Sequence, residues 1–505
     1  MPAPIRLSVA VIPARNPANP EFFWVKRNPV LPFMGRFHAF PGGKVDRSDS
    51  SDCVIGTKSD EEKALIFTGT REVFEETGIL LVKNNSLSEN KIDEARESVL
   101  DGSLDFKEFL TKHDLEIESN RFQKAGQWIT PEFQPMRYDA RYFCVWLTEQ
   151  EINSIKIVHG ELVEGEWIKP PKAYESWLSG KTLLSPPIVF IAQEFSKGKE
   201  DLMERLQNPP KVLGMANKRI EFRKGIQLFP MRTPTLPPAK HTNCYLIGEK
   251  KLSLIDPASP YKEDQNYLLN YLNNLEKYTN QVPERILLTH HHPDHIGSVN
   301  FLKEKFGIPV WAHEETARKL EGQIVIEHHL QDKEIIPIEG NFELQAIFTP
   351  GHATGHLCFL EKKSGSFIVG DMISGFGTIL ISPEHEGDMQ LYIKSLKEML
   401  ELDFDVLLPA HGGSIGDAKG KIQQYIDHRL MREEKVLKAC QTEAKTLQEL
   451  VEIAYSDTPQ KLWKIAELSL KAHLIKLQRE NKIQGFQHLT NVEKSDFSIY
   501  EKLNS

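Results

Sequence analysis

The chain has 505 residues, 40% hydrophobic and 26% charged, with a formal net charge of −9. That length exceeds what one hydrophobic core organises and sets an expectation of about two to four domains. The composition is that of a soluble globular protein, no stretch reaches the length of an uninterrupted apolar membrane span, and the negative balance gives no overall draw toward nucleic acid. The N-terminus runs straight into a strand-like stretch at residues 7–12 without an apolar signal-peptide core, which sets a cytoplasmic expectation. Five cysteines, at 53, 144, 244, 358 and 440, form no short-spaced pair, arguing for a reducing compartment and against a disulfide framework.

After the first strand comes Phe40-Pro41-Gly42-Gly43, and then a helix-like stretch from near Glu61 that carries Arg71-Glu72-Val73-Phe74-Glu75-Glu76-Thr77-Gly78. Glu72, Glu75 and Glu76 stand at i, i+3 and i+4, so one helix face presents three carboxylates. Alone, that pattern is an ordinary acidic surface turn. Mutual repulsion becomes useful when a hard cation such as Mg²⁺, which seeks carboxylate oxygen and carries phosphate, sits among them. The two segments resemble the halves of a Nudix box, with Asp49 at its usual acidic position and a longer stretch between Asp49 and Arg71 than is standard. Such an insertion is similar to the coenzyme A diphosphatase branch, as are the segments 36–46, 127–131 and 137–143, and the resemblance spans most of residues 5–195. It implies a Nudix α/β/α sandwich over residues 1–205, Glu75 and Glu76 on a catalytic Mg²⁺ or Mn²⁺, Glu72 as ligand or base, and Arg71 orienting the helix by pairing with an acidic neighbour. The implied substrates are nucleoside diphosphate-linked compounds.

A helix is expected from residue 183 to about 206. The Pro-rich stretch 230–238 reads as an extended connector, so 206–240 is expected to be a linker. Alternating strand-like runs at 242–248 and 252–257 then open a new unit, with helices over 264–275 and 299–306. The apolar run 285–288 leads into Thr289-His290-His291-His292-Pro293-Asp294-His295-Ile296-Gly297. Imidazole and carboxylate at this spacing, in a loop leaving a strand, suit a borderline cation such as Zn²⁺. A solvated His-rich tract would not predict distant partners, yet His352 and His356, Asp371, and His411 each follow a β-like apolar run.

This set resembles the metallo-β-lactamase superfamily. Carried over, His290, His292 and His352 would hold one zinc ion, Asp294, His295 and His411 the other, with Asp371 bridging the two and Asp294 also in a catalytic role. Two such cations clamp a substrate oxygen and bring the pKa of a shared water near neutrality. Asp294 stands where the best-known lactamases have Cys, which argues against a lactamase. The short interval from Asp371 to His411 excludes the inserted domain of the mRNA-processing nucleases. The glyoxalase II, small-nuclease and esterase end of the superfamily remains, with an αββα sandwich over 241–422.

Beyond His411 the pattern turns helical, with helices expected over 421–441, from Thr446, and over 462–480. Residues 481–485 then lead toward a β-wing. A small winged-helix-like domain over 423–505 is expected, and a plain helical cap is the alternative. Residues 425–505 hold 13 Lys/Arg and 12 Asp/Glu, so the tail offers little electrostatic support for nucleic acid. Its segments 428–433 and 466–478 are nevertheless similar to the lactamase-β-like-2 family, which includes a single-strand endoribonuclease. Two reaction classes follow for the zinc site: phosphodiester cleavage with single-stranded RNA as partner is the leading reading, and ester and thioester hydrolysis of the glyoxalase II type beside a coenzyme A diphosphatase-like domain is the alternative. No ligand is missing from either motif, which disfavours a non-catalytic binding protein.

Overall fold

A computed structural model of the chain describes residues 4–46, 49, 52–57, 59–83, 85–131, 134, 136–158, 160–208, 220–444 and 446–486. They fall into two compact units, Met1–Lys224 and Gly225–Ser505.

In the first unit the strand Ile5–Arg15 is central. It runs parallel to Arg137–Trp146, from Ile5 opposite Arg137 to Ala14 opposite Trp146, and antiparallel to both Glu21–Arg27 and Gly42–Lys44. Side chains alternate across a strand, and here both faces are covered. Val9 and Val11 cluster with Leu65, Val73 and Phe74 of the helix Asp60–Thr77. Ile12 and Ala14 cluster with Trp177, Ile188, Ile191 and Phe195 of the helices Pro170–Leu178 and Pro186–Ser196. The result is a helix–sheet–helix sandwich. Ser59 caps the helix Asp60–Thr77 by accepting from the Glu62 amide, and Gly78 ends it at φ 78°, a left-handed turn that glycine adopts without strain. The long stretch between Asp49 and Arg71 is partly structured, because Val54–Ile55 pairs with Ile117–Glu118. The helix expected from residue 183 is two helices, Pro186–Ser196 and Leu202–Gln207, broken where Gly198 and Asp201 take positive φ of 95° and 52°.

The second unit stacks two sheets. In one, Ile226–Arg232, His241–Ile247, Lys251–Ile255, Val282–Leu287, Val310–His313 and His328–Leu330 lie side by side in that order. In the other the order is Ile335–Ile336, Leu344–Phe348, Leu357–Glu361, Ser366–Gly370 and Val406–Pro409. The helix Lys262–Thr279 buries Leu268, Tyr271, Leu272 and Leu275, a stripe at i, i+3, i+4 and i+7. On the second sheet, Leu360, Phe367 and Leu407 pack with Ile393 and Leu396 of Met389–Leu400 and with Ile422, Tyr425 and Ile426 of Ala418–Cys440. This is an αββα sandwich.

The segment 206–240 departs from the expected linker. Ile226–Arg232 is a strand paired in full register with His241–Ile247, and it buries Ile226, Leu228, Phe229 and Met231 although Pro230 lies within it. The boundary placed between 422 and 423 falls inside the helix Ala418–Cys440. Its first half serves the lactamase-like core through Ile422, Tyr425 and Ile426. Its second half serves another cluster, in which Val436 and Ala439 meet Leu450, Val451, Leu470 and Leu474 of Leu447–Ala454 and Trp463–Arg479. Thr446 caps Leu447–Ala454 in a reciprocal capping box with Glu449. The wing expected to follow 481–485 lies outside the described residues from 487 onward.

Candidate dinuclear metal centre and carboxylate site

The strand ends of the two sheets meet at one edge. The Leu357 amide donates to the Thr289 carbonyl at 2.8 Å, and the Asn243 amide donates to the Ala410 carbonyl at 2.7 Å. Asn243 Nδ2 also donates to the carbonyls of Pro409 and Gly412. These bonds bring the loops after Leu287, Phe348, Gly370 and Pro409 together, and those loops carry the predicted ligands.

All seven residues converge and are buried. His290 Nε2 and His352 Nε2 each lie 3.0 Å from His292 Nδ1. Donor atoms of His290, His295 and Asp371, and of Asp294, His295 and His411, also fall within 4.8 Å of one another. Asp371 stands between the two sets. Its Oδ1 lies 3.3 Å from His411 Nε2 and 3.6 Å from His295 Nε2, whereas its Oδ2 lies 3.5 Å from His352 Nε2.

The rings are held from behind. His352 Nδ1 donates to the Leu380 carbonyl at 3.1 Å and His411 Nδ1 to the His241 carbonyl at 3.0 Å. A carbonyl only accepts, so in the neutral ring each Nε2 turns a lone pair toward the cluster. His295 Nδ1 donates to Asp256 Oδ2 at 2.8 Å, and Asp256 is itself fixed by the Thr289 amide and hydroxyl at 2.8 and 2.6 Å. Such backing is what metal-binding imidazoles require. His295 Nε2 and Asp371 Oδ1 are buried with no hydrogen-bond partner. Facing lone pairs and orphaned buried atoms are costly alone and fit divalent cations among them. Electrostatics divide the imidazoles: burial and the neighbouring rings hold His290 and His292 well below the usual histidine range, whereas Asp371 outweighs burial and raises His295 and His411. Burial would raise the Asp371 carboxyl, but His411 and His295 outweigh it and hold that carboxyl well below the usual range.

Sequence reasoning missed Asp256. It ends a strand that read as core, and only its spatial placement behind His295 reveals a role. His356, singled out as a partner, stands behind the cluster: its Nδ1 meets Thr349 Oγ1 at 2.9 Å and its Nε2 accepts from the Asp371 amide at 3.1 Å.

A cleft of about 340 Å³ opens onto the centre. It is lined by His292, Asp294, His352, Asp371 and His411 of the centre, by Leu236, Phe376, Ile379 and Leu380, and by Leu462, Ile465 and Ala466 from the C-terminal helices. The loop after the strand Ser366–Gly370 thus contributes Phe376 to Leu380.

The other predicted site lies in the first unit. Gly42 and Gly43 turn beneath the helix Asp60–Thr77: the Gly42 amide donates to Glu76 Oε2 at 3.0 Å, and a Cβ on Gly43 would lie 2.3 Å from the Glu72 carboxyl. Arg71 donates to Asp49 at 3.1 and 3.2 Å and to Glu75 Oε1 at 3.2 Å, and its Nη1 is 3.0 Å from Glu72 Oε1. The expected acidic partner of Arg71 is therefore Asp49 together with Glu72 and Glu75. Burial, with repulsion from Glu72, pushes Glu76 up to about 8. Glu72 is raised to about 7, chiefly by burial that outweighs the neighbouring Arg71. Buried carboxyls this reluctant to ionise, with no room above Gly43, fit a site whose charge a divalent cation balances. Glu72, Glu75 and Glu76 are not among the described groups whose donor atoms converge within 4.8 Å.

Known proteins match this arrangement in three segments. A family model of the metallo-beta-lactamase superfamily matches residues 237–411, one of the beta-lactamase associated winged helix domain matches 446–485, and one of the NUDT19 Nudix domain matches 54–194. A beta-lactamase-like protein 2 homolog of Drosophila melanogaster is 30% identical over 281 residues, covering 53% of this chain and 91% of the relative. The chain belongs to the metallo-beta-lactamase superfamily. It is a hydrolase that joins a Nudix domain, a lactamase-fold domain and a winged helix. The beta-lactamase-like protein 2 homolog of Caenorhabditis elegans is 27% identical over 250 residues, 48% of this chain and 81% of the relative. An atrochrysone carboxyl ACP thioesterase of Aspergillus fumigatus is 29% identical over 208 residues, 40% of this chain and 60% of that protein. Among solved structures, a metallo-beta-lactamase family protein of Thermus thermophilus aligns with a TM-score of 0.43 at 25% identity, over 51% of this chain and 94% of its own. A NUDIX hydrolase of Alicyclobacillus acidocaldarius aligns with a TM-score of 0.36 at 23% identity, over 41% and 99% respectively. Among the described residues, no helix is long and apolar enough to cross a membrane.

Proposed function

We propose that the lactamase-fold domain hydrolyses acyl esters or thioesters at a dinuclear zinc centre. His290, His292 and His352 would hold one ion, Asp294, His295 and His411 the other, and Asp371 both. When bound, such a pair polarises the substrate carbonyl and supplies hydroxide near neutral pH. The chain's own residues fix the geometry: Asp256 and the carbonyls of His241 and Leu380 orient the rings through their far nitrogens.

The observation that carries the acyl reading is the cleft wall. Its two arginines are buried and held by the fold: Arg432 pairs with Asp457 at 2.8 Å and donates to the Ala454 carbonyl, while Arg429 donates to the Ile379 carbonyl and lies 5.4 Å above the Tyr392 ring. Among the described lining residues no lysine and no further arginine faces the centre. A polyanion needs unpaired cations to displace its counterions, whereas an acyl group needs apolar surface. The thioesterase relative points the same way.

In the first unit we propose Mg²⁺- or Mn²⁺-dependent hydrolysis of nucleoside diphosphate-linked compounds at Glu72, Glu75 and Glu76, with Gly42 and Gly43 closing the turn against them.

The test sets p-nitrophenyl esters and acyl-coenzyme A thioesters against a single-stranded RNA oligonucleotide at low salt, on wild type and Asp371→Ala. Turnover of thioesters, absent in Asp371→Ala, with no RNA cleavage is expected. RNA cleavage without ester or thioester turnover would overturn the acyl reading.

A further inference from the structure

We infer that the C-terminal helices form the acyl-binding wall of the hydrolytic cleft and set which chain lengths it accepts. The inference rests on the acyl reading of the lactamase-fold site and deepens it.

Leu462, Ile465, Ala466 and Ser469 all line the cleft. Leu462 immediately precedes the helix Trp463–Arg479, so these residues stand at i, i+3, i+4 and i+7, one face turned toward the cleft. Three of the four are apolar, and Leu462 is 41% exposed. Leu236, Phe376 and Ile379 line the same cleft and add apolar surface to it. A chain whose carbonyl sits at Asp371 and His411 would run along this apolar surface.

Polar contacts anchor the wall to the lactamase fold. Lys471 pairs with Glu384 at 2.6 Å and Arg479 with Asp388, tying Trp463–Arg479 to the segment that follows the Phe376–Leu380 loop. Arg429, on the helix Ala418–Cys440, donates to the Ile379 carbonyl within that loop. The charges near the cleft thus hold its shape, and Leu462, Ile465 and Ala466 are left among the side chains that line it. A wall fixed on both sides limits length and bulk, which a loosely tethered domain would not do.

Ile465→Trp and Leu462→Trp fill the space without touching a candidate ligand. Acyl-coenzyme A thioesters from acetyl to dodecanoyl are assayed on the full chain, with zinc content measured for each variant. The ratio of kcat/KM for octanoyl to acetyl substrate should fall at least about tenfold in either variant, through KM, as expected when methylenes lose an apolar pocket. Ile465→Ala should shift the preferred chain length upward. In parallel, calorimetry of acetate through dodecanoate binding to wild-type protein should show affinity rising with chain length. That arm stays decisive if the tryptophan variants fail to fold. Unchanged chain-length profiles in zinc-loaded variants, or carboxylate affinity independent of length, would overturn the wall. Absence of any thioester turnover in wild type would instead overturn the acyl reading beneath it.

Discussion

At the scale of single residues, both sites depend on groups that do not face the substrate. Asp256 is the clearest case: it accepts from His295 Nδ1 and from the Thr289 amide and hydroxyl, so it sets the direction of His295 Nε2. Asp256→Ala is expected to lower zinc affinity about 10- to 100-fold while far-ultraviolet circular dichroism stays at the wild-type level. Equal affinity in a chelator titration would deny Asp256 that role. In the Nudix domain, Glu76→Gln should abolish release of nucleoside monophosphate and leave ester hydrolysis at the other site unaltered; full diphosphatase turnover would remove Glu76 from the mechanism. The same residue predicts a pH effect. Its folded-state pKa of about 8 lies above the ordinary glutamate value of 4.5, so the folded state binds the extra proton between those values. The stability this gives is complete below about 4.5 and is lost as pH rises through about 8. Chemical denaturation without Mg²⁺ should show that loss in wild type, and less of it in Glu76→Gln, where no proton leaves.

At the scale of elements, the sequence made most of the site legible because its ligands follow strands whose apolar runs are unmistakable. Leu344–Phe348, Ser366–Gly370 and Val406–Pro409 stand where the runs before His352, Asp371 and His411 indicated. The helix Val299–Phe306 matches its expected bounds, and Trp463–Arg479 lies within one residue of its own. What failed was punctuation. The prolines at 230 and 234 suggested a connector, yet Pro230 sits within a strand, opposite Asn243. A helix that serves two cores, Ala418–Cys440, buries Arg429, Arg432 and Glu433 between its two apolar stretches, yet it continues unbroken past the boundary placed at 422. Asp256 and the cleft wall were illegible for a different reason, since each depends on segments far apart in sequence meeting in space. Local signals hold where the chemistry is local, as at Thr446. Its side chain accepts from the Glu449 amide while Glu449 returns to the Thr446 amide at 2.9 Å. Thr446→Ala should therefore destabilise the C-terminal helices by about 1 kcal/mol, read as an earlier urea midpoint with an unchanged slope.

At the scale of the whole molecule, the division at Lys224 and Gly225 separates two candidate metal sites. The carboxylates at Glu72, Glu75 and Glu76 are a hard-cation set, and the imidazole-rich centre from His290 to His411 is a borderline one. Each unit closes its own core: Val9, Phe74 and Phe143 cluster within the first, and Phe367, Leu407 and Ile422 within the second. A ligand that binds only the native form of one unit raises the stability of that unit alone. Scanning calorimetry of the full chain, after chelation, should resolve two transitions. Adding zinc should move one upward by several degrees, while adding Mg²⁺ with a non-hydrolysable nucleoside diphosphate analogue should move the other. The zinc-responsive transition should be the one lowered by Thr446→Ala, because the C-terminal helices share the helix Ala418–Cys440 with the lactamase fold and wall its cleft. A zinc shift on one transition and a Thr446→Ala shift on the other would mean that the C-terminal helices melt independently of the fold they wall.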